Sequence, residues 1–422
     1  MSKRPSQGPP KKAMQRETLP THLARCLASE TKVANIPVFR ASTVLFESLE
    51  QAGLRAEAVA RGERGASTYA TASTPTTAAL MEALEQIEGE GHATRAALMP
   101  SGLSAISTLL MALLAPGEEV LVIDSVYGPT RNFCTNVLEA WGVQTRFYDP
   151  CSSAQELEQM LRPQTRLIYL ESPASYTFEI QDVPAIAAMA RRRGVLSVID
   201  NAWASPVMAN PFDWGVDASV LPLTKYWSGH SDVLMGAAIV REALWPALWK
   251  TQRSFGLCVG GDDAYLILRG MRTVQVRMQT HERHALAVAR WLEEQPGVAR
   301  VIHPALASHP QHPLFLRDFR GASGLFGFVL DPPYWKLDPG EPASEQRRRA
   351  LLAALCERRK HFGIGYSWGG YESLIVPARI EALRSVRPWR EGPLIRLHVG
   401  LEDPRDLIAD LEEGFAAMRR LG

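Results

Sequence analysis

Between residues 96 and 240 short apolar runs recur at intervals, with helical stretches between the earlier ones. This alternation limits what the chain can fold into more than any other feature. The runs cover residues 96–99, 120–123, 167–170, 195–199, 219–221 and 237–240. They are short enough for buried strands, and several are β-branched. Helical stretches lie at 104–115, 130–141, 154–161 and 183–193. Strands that alternate with helices pair in parallel and are covered on both faces, so an α/β fold with a mostly parallel sheet is expected. No GxGxxG or GxxxxGK[ST] segment occurs, which removes support for a dinucleotide-binding domain or a P-loop.

The 422 residues leave room for two or three domains at roughly 150 residues each. Residues 1–22 are basic and Pro-rich with no apolar core, which predicts a disordered tail rather than an export signal. Residues 23–72 are weakly periodic and read as an N-terminal arm of short elements, rich in Gly, Ala, Ser and Thr from residue 61 onward. A large domain is expected over 73–270, opening with a helix at 77–88. A small α+β domain is expected over 271–422, with strands at 324–330 and 394–399 and helices near 350–360 and 405–418. One long helical pattern, about 262–294, is expected to join the two.

Lys and Arg number 46 and Asp and Glu 45, a formal charge of +1. Phosphate neutralisation needs a concentrated basic excess, so no nucleic-acid partner is expected. The longest apolar stretch, 106–115, is about half of the roughly 20 residues that span a bilayer, so no membrane partner is expected either. Cys26, Cys134, Cys151, Cys258 and Cys356 are scattered and lack CxxC spacing. Such usage predicts a reduced, cytoplasmic protein with neither a disulfide framework nor a metal site.

Three segments combine chemistry with position. Asp200 closes an apolar run, at the carboxyl end where open α/β sheets bind ligands. Lys225, in Leu223-Thr224-Lys225-Tyr226-Trp227-Ser228-Gly229-His230-Ser231-Asp232, lies between runs read as buried strands. A buried ammonium is costly unless paired, or neutral and chemically used, and a desolvated lysine is the group that forms a Schiff base. Ser101-Gly102-Leu103-Ser104 follows a strand and opens an apolar helix, whose free N–H groups make an anion site. Singly, each has a plain alternative: Asp200 as a turn cap, Lys225 as a surface group, Ser101 as a helix cap. Together they describe a pyridoxal phosphate site. Lysine holds the cofactor, the helix start its phosphate, and a strand-end carboxylate keeps the ring nitrogen protonated. Tyr127 also follows a strand and could stack on the ring, or simply pack over a turn.

Over about residues 35–420 the chain resembles the Cys/Met-metabolism (trans-sulfuration) family of pyridoxal phosphate enzymes. The motifs are Ser101-Gly102-Leu103, Glu171-Ser172-Pro173, Asp200-Asn201, Thr224-Lys225-Tyr226 with Gly229-His230-Ser231-Asp232, and Leu394-Ile395-Arg396-Leu397-His398-Val399-Gly400-Leu401-Glu402-Asp403. Tyr366-Ser367-Trp368-Gly369-Gly370-Tyr371-Glu372-Ser373 favours the β-lyase branch, because relatives tend to carry a smaller residue where Trp368 stands. The resemblance implies a PLP-dependent transferase-like fold of the aspartate aminotransferase type (fold type I). It makes Lys225 the Schiff-base lysine and general base, Asp200 the ring-nitrogen partner and Tyr127 the stacking aromatic. Gly102, Leu103 and Thr224 would hold the phosphate, with Tyr69 reaching it from a neighbouring subunit. Arg396, supported by Ser367 and Trp368, would bind the substrate α-carboxylate.

The implied activity is a carbon–sulfur lyase of methionine biosynthesis, splitting L-cystathionine by β-elimination into homocysteine, pyruvate and ammonia. A cysteine-conjugate or cystine lyase would use the same cofactor residues, as would a γ-eliminating or γ-replacing relative, which Trp368 disfavours. Shared sites imply a homodimer or homotetramer. Three departures bear on the phosphate and distal carboxylate. Thr71 and Ala72 stand where the family often has Arg and a second basic residue, and Pro222 stands where Ser is common. Arg131, close to Tyr127 in sequence, is a candidate to restore the lost charge.

Overall fold

The apolar runs of the first half become strands because their side chains are buried on both faces of one sheet. The computed structural model describes residues 14–25, 32–331, 342–380 and 383–421. Seven strands form the first sheet: β1 (Thr94–Met99), β2 (Glu119–Ile123), β3 (Gln144–Tyr148), β4 (Thr165–Glu171), β5 (Leu196–Asp200), β6 (Ala218–Leu221) and β7 (Gly236–Arg241). Their order is β1-β7-β6-β5-β4-β2-β3. Neighbours from β3 to β6 pair in parallel, whereas β7 runs antiparallel to both β6 and β1. The carboxyl ends of β1, β2, β4, β5 and β6 therefore share one edge, and the loops leaving that edge build the site.

The second sheet contains β8 (Val298–Ile302), β9 (Leu325–Leu330), β10 (Phe362–Gly363), β11 (Ser373–Pro377) and β12 (Leu394–His398), in the order β10-β11-β12-β9-β8. Only the β10–β11 pairing is parallel. The helices Val274–Glu293 and Pro404–Arg419 pack on it through Ala285, Val288, Leu292, Leu407, Leu411 and Phe415. A third apolar cluster lies between the two sheets, where Trp203 and Tyr226 meet Val274, Phe315 and Leu394.

Several expectations need correction. The single long helix is two, Gly261–Met271 and Val274–Glu293, because Thr273 leaves helical geometry at φ −112°, ψ 6°. The break is held from both sides: the Arg277 guanidinium donates to the Gly270 carbonyl at 2.8 Å, and that of Arg272 donates to the carbonyls of Pro20, Leu23 and Ala24. Pro20 belongs to the segment read as disordered tail, Leu23 and Ala24 to the start of the arm. Residues 16–22 instead form a 3₁₀ turn and a short helix with Leu19 and Pro20 buried, whereas residues 1–13 lie outside the described residues. The arm is more regular than expected, for Leu49–Ala60 is one continuous helix capped by Ser48, whose side chain accepts from the Gln51 N–H. The helix expected over 130–141 runs as Gly128–Phe133 and continues as a π-turn over Cys134–Leu138. Cys134, Cys151, Cys258 and Cys356 are free, and Cys26 lies outside the described residues. Among the described residues no helix is long and apolar enough to cross a membrane.

Candidate active site

Two carboxylates close neighbouring strands. Parallel pairing puts Glu171 of β4 directly beside Asp200 of β5 at the shared edge of the first sheet. The turn after β6 brings Lys225 over the same edge, and the helix Gly102–Leu113 starts there after β1. A cavity of about 310 Å³ results, lined by Gly102, Leu103, Tyr127, Asp200, Thr224, Lys225, Ser367 and Trp368. Arg396, carried in on β12, lines an adjoining pocket that shares Tyr127, Glu171, Asp200 and Trp368 with it. All the expected site residues but one are thus brought together. Tyr69 lines neither pocket; it is 51% exposed and bridged to Thr43 on the arm.

Burial sets the electrostatics. Desolvation, reinforced by Arg396, lowers the Lys225 ammonium to about 8, against the pull of Asp200. Its Nζ donates to Ser367 Oγ at 2.6 Å and lies 5.0 Å from the centre of a Trp368 ring. Asp200 is pushed up by burial, with one oxygen accepting the Ala202 N–H at 2.9 Å. Glu171 is pushed up as well, by burial and then by the Asp200 charge beside it. Two adjacent buried carboxyls do not both ionise readily, so the two titrate as a coupled pair. Glu171 Oε2 accepts the Tyr127 N–H at 2.8 Å, which fixes the aromatic loop over the floor of the cleft.

The loop carrying Ser367 and Trp368 is tightly specified. Ser367 has φ +75°, unusual for a residue with a side chain. Gly369 follows at φ +89°, where an added Cβ would lie 2.8 Å from the Tyr226 nitrogen, so the position requires glycine. The Gly369 N–H donates to His398 Nε2 at 3.1 Å. Arg396 Nη2 donates to the carbonyls of Gly365 and Ser367 at 3.2 and 3.1 Å, while its Nε is buried without a partner. Among the described residues no carboxylate lies within ion-pair distance of Arg396.

At the helix start, Ser101 Oγ accepts the Ser104 N–H at 3.1 Å. The N–H groups of Gly102 and Leu103, first in the helix, have no acceptor within it. Two expectations change here. Thr224 lines the cavity, but its hydroxyl is engaged by the Met235 N–H at 3.0 Å and carbonyl at 3.2 Å, so in this arrangement it is not free for phosphate. Arg131 cannot replace the charge lost at position 71, because its guanidinium pairs with the buried Asp124 carboxylate and stacks 3.6 Å from the Phe147 ring centre. Sequence reasoning gave Glu171 no role, although it too is a carboxylate closing an apolar strand, the signal that singled out Asp200.

These groups fit pyridoxal 5′-phosphate. Asp200 is a buried carboxylate whose only hydrogen bond among the described residues is the Ala202 N–H, which leaves room for a protonated ring nitrogen. Lys225 is a lysine whose neutral form is accessible, and Arg396 holds an unpartnered buried N–H for a carboxylate. Fold and site together define a pyridoxal-phosphate enzyme of fold type I. The comparisons narrow this: residues 17–416 match the family model described as Cys/Met metabolism PLP-dependent enzyme, and the chain belongs to that family. It is 39% identical over 388 residues to the cystathionine beta-lyase MetC of Escherichia coli, covering 90% of this chain and 93% of that one. It is 37% identical over 392 residues to the L-alanine/L-glutamate racemase of Wolbachia pipientis wMel, covering 91% and 93%. Among solved structures, that of metB from Corynebacterium glutamicum aligns with a TM-score of 0.82 at 26% identity, covering 97% of this chain and 99% of that one.

Proposed function

We propose that the chain is a carbon–sulfur lyase that cleaves L-cystathionine by β-elimination into homocysteine, pyruvate and ammonia. The observation that carries this is the grip on Lys225, whose Nζ is held by Ser367 and faced by Trp368. β-Elimination takes one proton from Cα and returns one to the sulfur leaving Cβ. γ-Elimination needs a further proton taken from Cβ, so a lysine hemmed in at this point suits the first reaction.

Pyridoxal phosphate supplies the electron sink that makes the Cα proton acidic. The chain's residues do the rest. Lys225 Nζ takes the Cα proton and delivers one to the departing sulfur, and the burial that favours its neutral amine suits it to begin as the base. Asp200 would keep a proton on the ring nitrogen, and Tyr127 would help hold the ring. The N–H groups of Gly102 and Leu103 bind the phosphate, and Thr224 does so only if its hydroxyl leaves Met235. Arg396 binds the substrate α-carboxylate as a fork, with Ser367 and Trp368 shaping its surroundings.

Tyr69 acts in a neighbouring subunit of a homodimer or homotetramer. The exposed arm supports this: Leu45 is 89% exposed, and Leu49 and Leu54 on the following helix are 93% and 60%, apolar exposure of the kind that marks an interaction site. A reduced, cytoplasmic setting matches the scattered free cysteines. A second reading, a lyase for cysteine conjugates or cystine, is favoured by one observation. Lys225 and Arg396 are the only cations lining the two pockets among the described residues, and none remains for a distal carboxylate.

Product analysis decides. With L-cystathionine the expected ketoacid is pyruvate, and dominant 2-oxobutyrate sinks the proposal. A panel of sulfur amino acids, with L-alanine added to detect racemisation, then ranks the substrates.

A further inference from the structure

Asp124 lies one residue beyond β2, wholly buried, three residues before Tyr127. Its Oδ1 accepts from the Ser385 N–H at 2.9 Å and from Ser385 Oγ at 2.8 Å, and also from Arg131. Its Oδ2 accepts the N–H groups of Val386 and Arg387, each at 3.0 Å. Burial alone would raise this carboxyl, but the donors of Arg387, Ser385 and Val386 hold it below the ordinary range.

A second set of bonds runs beside the first. The Arg384 guanidinium donates to the Asp124 carbonyl at 2.9 Å, to the Ser175 carbonyl at 3.1 Å and to Thr177 Oγ1. Ser175 in turn donates its N–H to the Ser125 carbonyl at 3.1 Å. Three chain segments therefore meet around Asp124: 383–387, which its carboxylate grips and which leads into β12 and Arg396, 124–127 with Tyr127, and 175–177 with Tyr176, tied in through Arg384 and the Ser125 carbonyl. Tyr127 and Tyr176 form the wall facing Arg396, whose guanidinium lies 5.8 Å from the Tyr176 ring centre.

We propose that Asp124 is a positioning residue that latches the 383–387 loop of the C-terminal half onto the Tyr127 loop, setting the width of the substrate cleft between Tyr127, Tyr176 and Arg396. Asp124 touches neither cavity. It acts through the segments it ties, so its loss changes how well substrate is held rather than the chemical step.

The test uses the holoenzyme of Asp124→Asn and Ser385→Ala. An amide keeps one acceptor oxygen, and its NH₂ then faces N–H donors whichever way it turns, so Asp124→Asn loses hydrogen bonds without losing volume. KM for cystathionine is expected to rise on the order of tenfold, with kcat changed by less than about twofold. Ser385→Ala moves KM the same way by less.

Trypsin gives a readout independent of activity. The Arg384 side chain is occupied in the latch, so cleavage after it reports the opened loop and accelerates in both variants. The proposal rests on taking the cleft as the substrate site. A wild-type chain without lyase activity overturns that reading, whereas wild-type rates of cleavage after Arg384 overturn the latch. Unchanged KM in folded variants, or lowered kcat at unchanged KM, overturns the positioning role. Should Asp124→Asn fail to fold, Ser385→Ala carries the same measurements.

Discussion

Replacing Arg396 by lysine separates its charge from its shape. The arginine is buried, with Nη2 spent on the carbonyls of Gly365 and Ser367 and Nε left without a partner. A substrate carboxylate taken by the free part of the guanidinium makes two charge-assisted bonds, each worth about 1.5–3 kcal/mol. A lysine ammonium keeps one of them. The expected loss of about 1.5–3 kcal/mol corresponds to roughly 10- to 150-fold weaker binding. The contact is made equally before and during the chemical step, so the loss falls on KM while kcat stays within a small factor. Steady-state pyruvate release, coupled to NADH oxidation, measures both constants. Arg396→Ala adds a second signature. After burial, Arg396 is the charge that holds Lys225 down, so its removal raises the lysine and moves the pH profile of cofactor uptake by the apoprotein to higher pH. In Arg396→Lys that profile stays in place. A KM within twofold of wild type for the lysine variant, or a fall in kcat at unchanged KM, refutes the assignment of the carboxylate to Arg396.

Gly236→Ala would drive a Cβ into the Ser101 carbonyl oxygen and set it 2.8 Å from Gly102 Cα, forcing the helix start away from β7. A stability loss of about 1–3 kcal/mol is expected, together with a larger cofactor Kd in equilibrium dialysis; a wild-type Kd would count against the helix start as the phosphate site. The rate at which apoprotein takes up pyridoxal phosphate should rise with pH as Lys225 loses its proton, with a midpoint near 8. A midpoint near the ordinary 10.5 of lysine shows that the side chain is not desolvated. Mixing inactive Tyr69→Ala and Lys225→Ala subunits should restore activity, since some hybrid sites then carry both wild-type residues; no recovery after verified subunit exchange shows that Tyr69 does not act across an interface.

The strands that sequence periodicity predicts are those with both faces covered, such as β4 and β5, because uninterrupted apolar runs leave little choice of structure. The edge strand β3, Gln144–Tyr148, escapes the same test because most of its residues are partly exposed and its composition is mixed. β8 is also an edge strand and escapes for the same reason, with Val298 and Arg300 only partly covered. The helix Leu49–Ala60 is illegible for a different reason. Its Leu49 and Leu54 face away from this chain's core, so its apolar positions do not fall on the side the fold buries. Periodicity also runs straight across Thr273, where the break is held by Arg277 on the Gly270 carbonyl and by Arg272 on carbonyls of the sequence-distant segment at Pro20. In the site, single residues at strand ends are legible, and engagements made by the fold are not. Nothing local reveals that Met235 occupies the Thr224 hydroxyl, or that Asp124 has already claimed Arg131.

What makes the cleft legible also makes it costly. Lys225, Arg396, Asp200 and Glu171 place ionisable groups where an α/β sheet otherwise buries apolar ones, and the fold answers them only in part. Asp200 has a backbone N–H, Lys225 a hydroxyl, and Arg396 two carbonyls with Nε left over. The upward push on both carboxyls and the downward push on the lysine are the same desolvation seen from opposite signs of charge. A ligand that brings a cationic ring nitrogen to Asp200, an anionic phosphate to the helix start and a carboxylate to Arg396 relieves each of these penalties. Cofactor and substrate are therefore bound by the same incompleteness that weakens the empty cleft. Saturating cofactor must raise the unfolding temperature through linkage, by an amount set by its concentration over Kd. In Asp200→Asn, which no longer asks for a cation, that cofactor-dependent gain shrinks.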